Sequence, residues 1–279
     1  MITLRSIRLH TRCTLFAAIL VVPSLAFSES PNSSDAKLPL AILNSPVTNV
    51  NGQSQPWPEV VMKDGMNAEQ QREVIASLGR RFDDFTKAGV NSPIDIPRAI
   101  KKSVDGGVFR VYSYFFTVHA SLDVLNDENL LTKLFADNKQ GNGEGADLGV
   151  VGDDKYSYAY EPELLKRISL AMVLRSNDSK SDASVYAGSI VVANDPENKH
   201  QSSWAPLDNP DEKEPYLGMG IFTKATPLVE LPNVLFFEAH MVFYEPEGWF
   251  RGRNLLGAKL PIMIQDQVRS LRREVAKRD

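Results

Sequence analysis

The chain closes on two runs of different periodicity, and this pair limits the fold more than any other feature. From Leu235, the stretch LFFEAHMVFYE alternates with period two. Leu235, Phe237, Ala239, Met241 and Phe243 are all apolar, while Phe236, Glu238, His240, Val242 and Tyr244 form a mixed set. This is the pattern of a strand with one face committed to a core. After Pro246-Glu247-Gly248, the stretch KLPIMIQDQVRSLRREV sets Ile264, Val268, Leu271 and Val275 in one stripe at helical spacing. Pro261 is expected in the first turn of that helix, where a missing N–H is tolerated. A sheet needs a cover for its apolar face, and this helix needs somewhere to bury its stripe.

Upstream, strand-like segments dominate. KYSYAYE, RISLAMVLRS, SVYAGSIVVAN and YLGMGIFTKA are separated by loops rich in Pro, Asp and Asn. Glu163 to Arg175 has few turn residues, so a helix competes with a strand there. Ile94 and Ile96, the turn Asp105-Gly106-Gly107 and the dense run Val108–Val118 read as a hairpin, with Pro93 and Pro97 demoting its first arm to an edge. Asn67 with Gln70 makes a capping-box start for a helix carrying Val74, Ile75, Leu78, Phe82 and Phe85. A second, short helix is expected in NDENLLTKLFAD. The Gly-rich acidic stretch from Asp137 to Lys155 reads as a mobile surface loop, since it matches neither a phosphate loop nor a calcium hand. The expected class is α+β: an antiparallel sheet of six to seven strands, an N-terminal helix and a long C-terminal helix.

The first residues carry a different message. Arg5, Arg8 and Arg12 precede an apolar core from Leu15 to Val22, and Ala26-Phe27-Ser28 supplies small residues before a cut at Glu29. The expectation is a signal peptide over residues 1–28, exported by the Sec route because no Arg-Arg pair is present, with a periplasmic or secreted product. Its apolar run is far shorter than the roughly 20 residues a membrane span needs, so no transmembrane segment is expected after its removal. Cys13, the one cysteine, lies inside it and ahead of the apolar core, which argues against lipid attachment. Residues 29–58, rich in Ser, Asn and Pro, read as a disordered or loosely attached leader, and 59–279 as a single α+β domain.

Losing three arginines takes the net charge from −4 to −7. An acidic surface is a poor match for phosphate backbones, which excludes nucleic acid as a partner. A cysteine-free mature chain has no thiol nucleophile and no cysteine metal ligand. Also missing are Gly-x-Ser-x-Gly and His-Glu-x-x-His, so familiar hydrolase classes are excluded. Nothing in the sequence calls for a cofactor, and nothing names a protein partner.

The segment LFFEAHMVFYEPEGWFRGRNLLGAKLPIMIQDQVRSLRREV resembles the close of START-like helix-grip domains. The resemblance implies a curved antiparallel sheet gripping the C-terminal helix around an apolar cavity. The chain also resembles exported bacterial proteins with segments of the PWPEVV, EPEGWF and QDQVR type, a likeness that implies no activity.

On that reading the ligand-binding candidates are Tyr112, Tyr114, Phe116, Phe236, His240 and Trp249, and the partner is an apolar small molecule or lipid. Glu238 and His240 share one strand face. They either decorate a wet outer face, or stand at a cavity mouth where His240 exchanges protons and Glu238 orients it. His119 and Asp123 are weak candidates for completing a metal site with His240. Three functions remain open: non-catalytic binding of an apolar or amphipathic molecule, acid–base catalysis through Glu238 and His240, and an envelope interaction module using the acidic loops 137–155 and 194–214. The basic residues of the last helix, Arg269, Arg272, Arg273, Lys277 and Arg278, are expected on a solvated face.

Overall fold

The computed structural model describes residues 41–126, 144–250 and 254–277. The expected signal peptide, residues 29–40 and the expected helix beyond Asn126 lie outside them. Thirteen strand segments follow in chain order: β1 (Val47–Thr48), β2 (Ser54–Gln55), β3 (Ile94–Asp95), β4 (Arg98–Lys102), β5 (Val108–His119), β6 (Glu144–Val151), β7 (Asp154–Leu164), β8 (Ile168–Lys180), β9 (Val185–Val192), β10 (Ser203–Pro206), β11 (Glu214–Pro215), β12 (Met219–Leu228) and β13 (Leu231–Glu245). The helices are α1 (Ala68–Ser77), α2 (Phe82–Phe85) and α3 (Leu255–Val275).

One curved antiparallel sheet organises the molecule, with β6, β7, β8, β9, β12, β13 and β5 side by side. Strand β10 continues beside β8 where β9 ends, and β3 and β4 together edge β5. The α+β class is as expected, but the sheet contains 11 strand segments, more than the six or seven anticipated. One source of the excess is β6, in the stretch taken for a mobile loop. Its Gly-rich and largely exposed sequence has no buried face, so no alternation betrays it. Glu163 to Arg175 resolves as the end of β7, a turn and the start of β8, with positive φ at Leu165 and Lys166.

Strand parity divides the molecule into three layers. On the concave face, Leu235, Phe237, Ala239, Met241 and Phe243 of β13 join Tyr112, Tyr114, Phe116 and Val118 of β5 and Leu170, Met172 and Leu174 of β8. Helix α3 lies over them, burying Leu256, Leu260, Ile264 and Val268. The convex face is covered by residues 41–86. Ile42 packs on Phe222, Val47 on Val242 and Tyr244, and Met62, Ile75 and Phe85 on Phe115 and Phe236. Residues 41–58 are therefore a packed strap rather than a loose leader: Ile42 is 0% exposed and Val47 3%. Its anchors are too widely spaced to show a period, which is why composition alone suggested disorder.

Helix α1 has the expected capping box, in which the Asn67 side chain accepts the Gln70 N–H and the Gln70 side chain accepts the Asn67 N–H. The helix ends at Ser77, with Gly79 at φ 73°, and Phe82 and Phe85 belong to a separate turn of helix. Helix α3 starts at Leu255, so Pro261 is interior rather than in the first turn. An interior proline leaves the carbonyl four residues back without its helical donor. That carbonyl is Gly257 O, and the Arg98 guanidinium of β4 donates to it at 3.4 Å. The edge strand thus supplies the bond that the helix cannot.

Candidate functional site

Two faces compete for the role of site, and the sequence candidates are divided between them. Tyr112, Tyr114, Phe116 and Trp249 lie in the concave core beneath α3. Phe236 and His240 have the other parity and point to the convex side, so they do not belong to the same lining. The expected set of six is corrected to four on this ground.

Within the concave core the polar atoms are few. The Tyr114 hydroxyl and the Trp249 indole N–H are buried without a hydrogen-bond partner among the described residues. Burial alone drives the Tyr114 phenol pKa upward, so it stays protonated and remains a donor. Tyr216, by contrast, donates to the Tyr244 carbonyl at 3.0 Å. Ser176 and Ser189 pair with each other at 2.7 Å on the same face.

The convex face carries a buried polar chain under the strap. Ser113 Oγ lies 2.8 Å from His240 Nδ1, and His240 Nε2 lies 2.7 Å from Glu238 Oε1. Glu238 also accepts the backbone N–H groups of Val61 at 2.8 Å and Met62 at 3.1 Å. Across the strand pair, Lys224 donates to the Met62 carbonyl and pairs with Asp64 at 2.7 Å. Ser184 and Tyr186 donate to the same Asp64 carboxylate. Burial works to raise the Asp64 pKa, but the bonds from Lys224, Ser184 and Tyr186 outweigh it and hold the carboxyl below its ordinary value.

This arrangement corrects both readings of Glu238 and His240. The face is not wet, since Glu238 is 0% and His240 1% exposed. Nor is it a cavity mouth, because Phe222 stacks on the imidazole at 6.0 Å and Phe115 meets it edge-on at the same distance. Chemically, the carboxylate neutralises two backbone donors and fixes the imidazole, which fastens the strap. Lys224 escaped notice because it sits among Phe222, Thr226 and Leu228 without a local signal. The pointer to it lay in register, because Lys224 stands directly opposite Glu238.

The metal candidates come apart. His119 pairs across the sheet with Val234, six residues along β13 from His240 and so about 20 Å away at strand spacing. Its Nε2 engages the Thr86 carbonyl at 2.8 Å. Among the described residues, no three His, Cys, Asp or Glu side chains gather closely enough to hold an ion. Arg272 is a further correction. Far from being solvated, it is 6% exposed and donates to the carbonyls of Thr117, Val90, Ser92 and Pro93. Burial, with help from Arg269, lowers its pKa to about 10. Among the described residues, no helix is long and apolar enough to cross a membrane.

No family model and no curated protein sequence matches this chain. Several solved structures are similar to it. The human StarD13 (DLC2) lipid transfer and protein localization domain shares 9% identity at a TM-score of 0.39, covering 63% of this chain and 88% of that one. A STAR-related lipid transfer protein fragment from Xanthomonas axonopodis shares 12% identity at 0.38, covering 63% and 98%. Human STARD10 shares 12% identity at 0.35, covering 70% and 78%. The neighbours are START-related domains. At such identities and scores they say nothing of what this chain binds.

Proposed function

We propose that this chain is an exported, non-catalytic protein that holds an apolar or amphipathic small molecule between the concave face of the sheet and α3. The observation that carries this reading is Tyr114. Its hydroxyl is buried in an apolar layer and has no hydrogen-bond partner among the described residues. An unmade bond of this kind costs about 1–3 kcal/mol, which a ligand carbonyl or hydroxyl would recover. On this reading residues 1–28 are removed on export, and one domain begins by residue 41 at the latest. Ligand entry requires α3 to part from the sheet between its two polar ties, Arg98 to Gly257 and Arg272 to the carbonyls around Ser92.

The test is organic extraction and mass spectrometry of the full chain recovered from its host's envelope, paired with uptake of a fluorescent fatty acid. About one apolar molecule per chain is expected, with weaker retention in Tyr114→Phe. A chain that carries nothing and takes up no probe sinks the idea. N-terminal sequencing of the same material tests the cut before Glu29.

A further inference from the structure

A cavity of about 440 Å³ opens where the ends of β10, β11 and β13 meet the turns at residues 49–52 and 104–107. Its volume falls within the range of small-molecule sites. Its walls include the carboxylates Asp105, Glu212, Glu214 and Glu247 and the rings of Trp204, Tyr216 and Tyr244, and its described lining contains no Lys, Arg or His. The cavity lies at the rim of the core beneath α3, to which Tyr216 also belongs, but no residue of α3 lines it.

The rings are held firmly. Tyr216 is 1% and Tyr244 4% exposed. Trp249 backs the wall, 5.8 Å from Trp204 and 5.1 Å from Tyr216 between ring centres. Close packing against glycine fixes Tyr244, since a Cβ at Gly107 would overlap its hydroxyl and one at Gly218 its Cβ. The carboxylates are differently placed. Asp105 is used internally, accepting from Asn51 at 2.6 Å and from the Gly107 N–H at 3.3 Å. Burial pushes its pKa up, but these bonds and those from Ser103 and Tyr244 prevail and keep it ionised. Glu214 and Glu247, both exposed, form no ion pair among the described residues.

Aromatic faces and carboxylates attract the same kind of guest, a cation with apolar flanks. A bare metal ion is a poor fit, because these carboxylates do not converge into a group that could ligate one. A neutral apolar guest would leave the charge unused. We propose that this cavity is a binding site for a small organic cation of the alkylammonium class, seated against Trp204 with Glu214 and Glu247 at its charge.

The experiment titrates the full chain with tetramethylammonium at constant ionic strength, and in parallel with neopentyl alcohol, a soluble uncharged analogue of similar size. Calorimetry gives the affinity and tryptophan emission reports on Trp204. Saturable binding of the ammonium is expected, at least tenfold tighter than the alcohol. The double variant Glu214→Gln/Glu247→Gln should bind it at least tenfold more weakly, and Trp204→Leu likewise, with unchanged circular dichroism and thermal midpoint. Three outcomes overturn the proposal: no saturable binding, equal binding of the alcohol, or a double variant that binds like the parent. Because both glutamates are exposed, that variant is not expected to disturb folding.

Discussion

Lys224 and Glu238 stand directly opposite each other on β12 and β13, and both reach through the convex face to the same passing segment. Glu238 accepts the N–H groups of Val61 and Met62, while Lys224 donates to the Met62 carbonyl and holds Asp64. A pair of opposite charges buried in a sheet thus serves as a clasp for chain 160 or more residues away in sequence.

Glu238→Ala is therefore expected to cost about 3–5 kcal/mol, since it strands two backbone donors and the imidazole of His240 in a dry layer. Glu238→Gln should cost somewhat less, because its amide keeps one acceptor but brings donors to where donors already point. Lys224→Met keeps the aliphatic stem and should cost about 1–3 kcal/mol. Urea unfolding followed by circular dichroism measures all three. A loss below about 1 kcal/mol for Glu238→Ala would refute the clasp.

Arg272 makes a comparable tie on the other side of the sheet, through neutral carbonyls alone. Arg272→Met should lose about 2–4 kcal/mol, as bonds to a charged donor are among the stronger ones. Arg272→Lys should recover little, because one ammonium cannot reach carbonyls fanned across Thr117, Ser92 and Pro93. Thermal midpoints of the three chains decide this, and equal stability of the Lys variant and the parent would count against the fork geometry.

Pro261→Ala is expected to raise stability. The new N–H can bond Gly257 O within the helix, removing an interior proline penalty of about 3 kcal/mol, of which Arg98 already offsets part. A net gain of about 1–2 kcal/mol is the outcome to look for by denaturant titration.

Four of the eight tyrosines, Tyr112, Tyr114, Tyr216 and Tyr244, have pKa values raised chiefly by burial. A raised folded pKa means that the unfolded chain loses these protons first. Stability from these groups is complete below about pH 10, the ordinary phenol value, and falls as pH climbs above it. Absorbance at 295 nm should show only part of the phenols ionising in the folded chain at pH 11, with the rest appearing together as it unfolds. Smooth titration of all eight without unfolding would contradict the burial of Tyr114.

What could be read in the sequence was what is decided locally or by parity. The Asn67–Gln70 cap, the odd set of β13 and the shared face of Tyr112, Tyr114 and Phe116 need only neighbours along the chain. The burial of Glu238 could not be read, because its backbone partners are Val61 and Met62, 176 or more residues away. Helix α3 begins earlier than Pro261 suggested because a distant arginine repairs the broken bond. The concave apolar face was legible as a core, and the unpartnered Tyr114 hydroxyl within it was not, since a sequence does not state where a phenol ends.

The strap and the last helix press on opposite sides of the same strands. Strand β13 gives one set of side chains to each of them, so a substitution that shifts its register by one residue would unseat both covers at once.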